Sequence, residues 1–205
     1  MGTEQHKTPA CIRTDLPLRL NPALVKALAN KTLGLPRTEV RLANSSPKWE
    51  QAFTEVQRVL LGNKPLGVQA IEHIGSTAVP GLSAKPILDI IIGTVPEAGS
   101  DELHRWLLGH GFIYRGEADA IRPDTIYGFE IEANNRLINA HVITYGQTEW
   151  AHYLNFRNYL RRTPQDREAY QRLKEQLAAT HAHDRISYLE GKTEFITQHR
   201  KAQSR

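Results

Sequence analysis

Apolar residues follow two rhythms along the chain. Trp49, Phe53, Val56, Leu60 and Leu61 recur every three or four positions behind Ser46-Pro47, which predicts a helix with Ser46 as its cap and Pro47 as its first residue. Leu24, Ala27 and Leu28 repeat that spacing behind Asn21-Pro22, and Gly34 and Pro36 close the segment. Val68 to Ile74 and Ile87 to Ile92 are short β-branched runs, which predict two strands, the second apolar enough to be central in its sheet. Val40-Arg41-Leu42 is a third, shorter strand candidate. A helix from about Ser100 to Gly109 carries Leu103, Trp106 and Leu107, and Phe112-Ile113-Tyr114 leads into two strands around an Asn134-Asn135 turn. The last third is helical. Thr148, Thr163-Pro164 and Asp184 open successive helices, the final one expected to turn Ile186, Leu189 and Ile196 inward.

This order predicts an α+β (mixed α/β) domain, a mixed sheet flanked by helices with a helical C-terminal third. Residues 1–37 read as an N-terminal extension with one short helix, 38–199 as the main domain and 200–205 as a tail. Of 205 residues 40% are hydrophobic and 23% charged, enough apolar material for a core and too much for a disordered chain. The single cysteine, Cys11, excludes a disulfide framework and a Cys-rich zinc site. No apolar run approaches the ~20 residues that span a bilayer, and the polar start lacks an apolar signal core, so a cytoplasmic protein without a membrane partner is expected. A net charge of +4 fits a polyanionic partner such as a nucleotide or tRNA.

Candidate chemistry concentrates in Glu72-His73-Ile74-Gly75-Ser76-Thr77 and Ala84-Lys85-Pro86-Ile87-Leu88-Asp89. A strand ending at Gly75-Ser76 leaves backbone N–H groups and a hydroxyl free to hold an anion, and the next strand returns Asp89 beside them. Asp89 can equally be a structural hydrogen-bonder in a Gly/Pro loop. With a two-residue Asn134-Asn135 turn, Glu132 pairs with Leu137, Glu130 with Asn139 and Gly128 with His141. Glu130, Glu132, Asn139 and His141 then share a polar face, and Phe129, Ile131, Ile138, Ala140 and Val142 take the other. His73 and His141 are candidate bases near neutral pH. Arg157, Arg161, Arg162, Arg167, Arg172 and Lys174 form either a solvated helix face or a phosphate cradle.

The run His73-Ile74-Gly75-Ser76-Thr77-Ala78-Val79-Pro80-Gly81-Leu82, with Ala84-Lys85-Pro86-Ile87-Leu88-Asp89 after it, resembles the signature of the GrpB family of the nucleotidyltransferase-fold superfamily. Trp49, His141, Phe156-Arg157-Asn158-Tyr159-Leu160-Arg161, Tyr170, Leu173-Lys174, Tyr188, Lys192 and Phe195 extend the match over roughly 41–196. The resemblance implies a nucleotidyltransferase-like sheet with Asp89 as the first of two metal-holding acids, but Ile91 stands where the second belongs. A group of compact fungal enzymes that make arginine-containing cyclic dipeptides from aminoacyl-tRNA is similar to GrpB proteins. That likeness implies acyl transfer from arginyl-tRNA with a small-molecule amino acid, without cofactor or metal. Asp89, His141, Ser76 and Glu132 are then the catalytic candidates. His73, Gly75, Thr77, Lys85, Glu130, Asn139, Arg157 and Arg161 are the substrate-binding ones. The alternatives are Mg²⁺- and ATP-dependent nucleotidyl transfer and a non-catalytic nucleotide-binding module.

Overall fold

The computed structural model describes residues 19–29, 32–96, 100–119 and 122–201. Cys11 and most of the N-terminal extension lie outside the described residues. The elements are α1 (Pro22–Leu28), β1 (Leu35–Pro36), α2 (Pro47–Leu61), β2 (Val68–Ile74), β3 (Leu88–Thr94), α3 (Ser100–Gly109), β4 (Ile113–Asp119), β5 (Arg122–Glu130), β6 (Asn135–Thr144), α4 (Thr148–Arg162), α5 (Pro164–Thr180), α6 (Arg185–Glu190) and α7 (Thr193–Arg200). Local chemistry sets the helix starts. Asn21 Oδ1 accepts from the N–H groups of Ala23 at 2.9 Å and Leu24 at 3.3 Å, ahead of Pro22. Asp184 Oδ1 accepts from those of Ile186 and Ser187, each at 3.1 Å.

The strands form one mixed sheet in the order β2-β3-β6-β5-β4, with β1 added to β6. β3 and β6 run parallel in the middle, and every other pairing is antiparallel. Alternation along β3 divides the molecule into three layers. Leu88, Ile90 and Ile92 face a large apolar cluster with Leu24, Trp49, Phe53, Val56, Leu60 and Leu107 of α1 to α3. Asp89, Ile91 and Gly93 face the other way, where Ile91 packs with Ile74, Ile143 and Trp150. Val79, Leu82, Leu160 and Tyr170 continue this second layer beneath α4 to α7. Gly93 permits that layer to close, since a Cβ there would lie 2.7 Å from the Trp150 ring.

Three expectations are corrected. Residues 40–42 form no strand; Leu35–Pro36 pairs with β6, and Ala43 bridges Ala84. The C-terminal segment is two short helices, which leave Ile186 and Leu189 exposed and turn Tyr188 inward. The β5–β6 register lies two residues from the expected one. Gly128 pairs with Asn139 and Ile126 with His141, because a bulge after Phe129 sets Glu130 against Arg136. A four-residue connection, 131–134, replaces the two-residue turn, with Asn134 at φ 65°. An even slip preserves the faces of the paired residues, yet it takes Glu132 off the strand into the exposed connection and leaves Ile131 37% exposed.

Candidate functional site

The site is built at the junction of β2 and β3. Gly75 ends β2 at φ 68°, ψ −170°, a conformation almost restricted to glycine. One 3₁₀ turn, Ser76–Ala78, follows, and the loop returns as β3 with Asp89 opposite Ile74. Gly75 and Asp89 are so close that a Cβ on Gly75 would lie 2.5 Å from Asp89 Oδ2. Across the parallel pairing Asp89 stands beside Asn139, whose Nδ2 donates to Asp89 Oδ1 at 2.7 Å. Arg136 Nη1 donates to Asn139 Oδ1 at 2.9 Å. A guanidinium only donates and a carboxylate only accepts, so the amide has one permitted orientation between them.

Cations surround this carboxylate. Lys85 is pushed down to about 7, by burial first and then by Lys192 and Arg185, against the opposing pull of Asp89. Arg136 is pushed down to about 10, by burial and then by Arg37 and Arg185. Burial also lowers Arg185, whose main charge partner is Asp89. Among the described residues, neither the Lys85 nor the Arg185 side chain makes a hydrogen bond or close ion pair. Arg136 Nε and Arg37 Nη2 are buried without a hydrogen bond. Tyr188 underlies the group, with Lys85 Nζ 5.1 Å and Lys192 Nζ 4.6 Å from its ring centre. Ser76 lies against the buried Tyr170 phenol.

Of the residues predicted from sequence, Gly75, Ser76, Lys85, Asp89 and Asn139 come together here, and His141 lies one step along the same face, beside Ile91. Others serve the framework. His73 is buried, stacked on Phe53, with Nδ1 2.9 Å from Glu50 Oε2 and Nε2 3.0 Å from Thr77 Oγ1. Both His73 and Thr77 therefore point into the first apolar layer, away from Asp89. Glu130 is likewise committed. Its Oε1 accepts from Arg115 at 2.7 Å and Arg37 at 3.0 Å, and its Oε2 from the Asn134 N–H at 3.1 Å. Glu132 stays in the exposed connection, outside the site. Arg157 Nη1 binds Glu72 at 2.9 Å and the His73 carbonyl at 2.8 Å, and Arg161 grips the Ala78 carbonyl with Nε at 2.9 Å and Nη2 at 2.7 Å. These two arginines tie α4 to the end of β2 and to the turn after it. Sequence reasoning missed Arg136, Arg185 and Asp124. Continuing the alternation of β5 back from Gly128 through Ile126 puts Asp124 on the face of His141.

The two-metal centre implied by the nucleotidyltransferase resemblance does not fit these residues. Ile91 is fully buried among apolar neighbours, Asn139 presents a donor, and three cations face Asp89. Among the described residues no three His, Cys, Asp or Glu side chains converge. No described helix is long and apolar enough to cross a membrane.

A family profile described as GrpB protein matches residues 39–202. The UPF0157 protein PA4798 of Pseudomonas aeruginosa is 34% identical over 163 residues, covering 78% of this chain and 65% of its own length. The UPF0157 protein YqkA of Bacillus subtilis is 32% identical over 165 residues, covering 78% and 46%. The chain thus spans less than two thirds of either relative. A crystal structure of the conserved protein GrpB from Enterococcus faecalis superposes with a TM-score of 0.68 at 31% identity, over 78% of this chain and 95% of that one.

Proposed function

This chain belongs to the GrpB family, and on that premise we propose that it is a transferase for a phosphate-bearing substrate, moving an activated acyl group from aminoacyl-tRNA onto an amino acid amine. The observation that carries the reading is the setting of Asp89, whose carboxylate lies among Lys85, Arg185 and Arg136, the last shared with Glu130. Such a pocket takes a substrate with phosphates and one positive group, and the 3′ end of an aminoacyl-tRNA has both. An aminoacyl ester is already activated, so neither a nucleoside triphosphate nor a carboxylate-held metal pair is required. Lys85, Arg136 and Arg185 hold phosphate, Asp89 receives the α-ammonium, and the Gly75-Ser76 turn offers N–H and hydroxyl donors to the ester oxygen. Glu130, already bound by Arg37 and Arg115, is not available for the side chain of an arginyl donor. Selection for arginine therefore falls to the donor tRNA.

Nucleotidyl transfer is the second reading. The placement of Asp89 against Gly75-Ser76 favours it, since this is the arrangement the nucleotidyltransferase resemblance implies. One experiment separates the two. The purified chain is incubated with arginyl-tRNA and, in parallel, with other aminoacyl-tRNAs or with ATP and Mg²⁺, and cyclic dipeptide and pyrophosphate are both measured by mass spectrometry. Cyclic dipeptide formed without ATP and lost in Asp89→Ala upholds acyl transfer. Pyrophosphate released only with ATP and Mg²⁺ replaces it with nucleotidyl transfer. Neither product, with binding of tRNA or ATP unchanged in Asp89→Ala, leaves a non-catalytic binding module and refutes both.

A further inference from the structure

A second polar cluster lies on the same sheet face, next to the anion pocket and separate from it. Asp124 of β5 is 1% exposed. Its Oδ2 lies 2.6 Å from His141 Nδ1 and receives the Tyr153 hydroxyl of α4 at 3.0 Å, while Oδ1 is buried without a hydrogen bond. Burial alone would raise this carboxyl. The hydrogen bond and charge of His141, joined by the bond from Tyr153, outweigh burial and hold it below the usual carboxylate range. An ionised carboxylate only accepts, so Nδ1 of the neutral imidazole must carry the proton. Nε2 is then a bare acceptor. Among the described residues it has no hydrogen-bond partner, and the His141 side chain keeps 15% of its surface exposed. His141 is two residues from Asn139, the partner of Asp89, or about 7 Å along one face.

Resting on the acyl-transfer reading, we infer that Asp124, fixed by Tyr153, holds His141 so that its Nε2 takes the proton from the amine that attacks the ester. In that step the amine nitrogen bonds to the acyl carbon and its proton passes to Nε2. The carbon–oxygen bond to the ribose then breaks, and the ribose oxygen leaves with the proton returned by Nε2, so no oxidant or further reactant enters. His141 is the catalytic residue. Asp124 and Tyr153 are positioning residues. A solvent-facing structural histidine needs no buried acid behind it, and a buried Asp124 with one oxygen unbonded costs stability that this role accounts for.

The test reads the imidazole directly. In the 205-residue chain labelled with ¹⁵N-histidine, long-range ¹H–¹⁵N correlation at alkaline pH assigns the His141 tautomer, with His141→Gln identifying the signal. The expected result is the Nδ1–H tautomer in wild type and a shift towards Nε2–H in Asp124→Ala. Tyr153→Phe should preserve the Nδ1–H form while broadening its environment. Turnover of the aminoacyl ester should fall at least 100-fold in Asp124→Ala, with KM changed less than 3-fold. An Nε2–H tautomer in the wild type would overturn the inference, and so would undiminished turnover in an Asp124→Ala protein that has lost the Nδ1–H form. Absence of ester turnover in the wild type, with the Nδ1–H tautomer present, instead refutes the acyl-transfer reading and leaves the orientation of His141 upheld.

Discussion

Replacing Gly75 by alanine tests the geometry on which the site depends. Two separable costs follow. The backbone at φ 68°, ψ −170° is strained for any L-residue, by about 1–3 kcal/mol. The new methyl also meets Asp89, 2.5 Å from Oδ2 and 3.0 Å from Cβ, an overpacking of about 1–3 kcal/mol. Asp89 can swing aside only by giving up its 2.7 Å bond from Asn139, a charge-assisted bond worth about 1.5–3 kcal/mol, so the second cost is similar on either path. In an Asp89→Gly background the steric part disappears and the backbone part remains. The cost of Gly75→Ala should therefore be about 1–3 kcal/mol smaller there than in the wild type. Urea unfolding of the four proteins, followed by the fluorescence of Trp49, Trp106 and Trp150, measures that difference. Additivity within about 0.5 kcal/mol would refute a direct contact between the turn and the carboxylate.

Glu130→Gln withdraws the acid shared by Arg37, Arg115 and Arg136; thermal and urea unfolding should show a loss of about 3–5 kcal/mol, and a loss below about 1 kcal/mol would remove Glu130 as the hub of the cluster. Lys174, buried under Tyr170 with its amine on the Ser83 carbonyl, and Lys85 are each pushed down to about 7, by burial first and then by Lys192. The unfolded chain binds more protons at these lysines between about pH 7 and 10, so stability should rise with pH across that window. Lys174→Met should flatten the rise, and an unchanged slope would contradict it. Above about pH 10 the tyrosines contribute with the opposite sign, because burial raises Tyr127 to about 12 and raises Tyr170 and Tyr188 as well, so the folded chain keeps phenol protons that the unfolded one releases. Arg185→Ala should weaken tRNA binding and reduce the slope of log affinity against log salt by about 0.7 to 1; an unchanged slope would place the phosphates elsewhere.

Much of this was legible in the sequence where local chemistry decides. Asn21, Ser46 and Asp184 cap helices because their side chains reach N–H groups two or three residues ahead. Asp89 was legible beside Gly75-Ser76 because consecutive strands that pair antiparallel bring the start of the second beside the end of the first. Distant partners were not legible. Nothing near His73 announces Glu50, 23 residues earlier, and nothing near Glu130 announces Arg37, 93 residues away. The hairpin register went astray because a bulge falls between Phe129 and Glu130, and hydrophobic alternation does not encode a bulge. The faces survived that error since the slip was even. Ile186 and Leu189 looked inward on apolarity alone, whereas the inward position on α6 goes to Tyr188, which carries Lys85 and Lys192 on its ring.

The Asp89–Asn139 pair has a meaning for how such a pocket changes its ligand. Aspartate and asparagine have nearly the same shape and differ at one terminal atom, yet here that atom sets the polarity of the whole centre. With the amide, Asn139 donates to Asp89 and relays the charge of Arg136 to it. With an acid at that position, the donor to Asp89 would be lost and two carboxylates would face each other across paired parallel strands, with Arg136 as the nearest cation to relieve their repulsion. A single amide-to-acid exchange at residue 139 would thus remove the relay from Arg136 to Asp89 and add one negative charge to the centre.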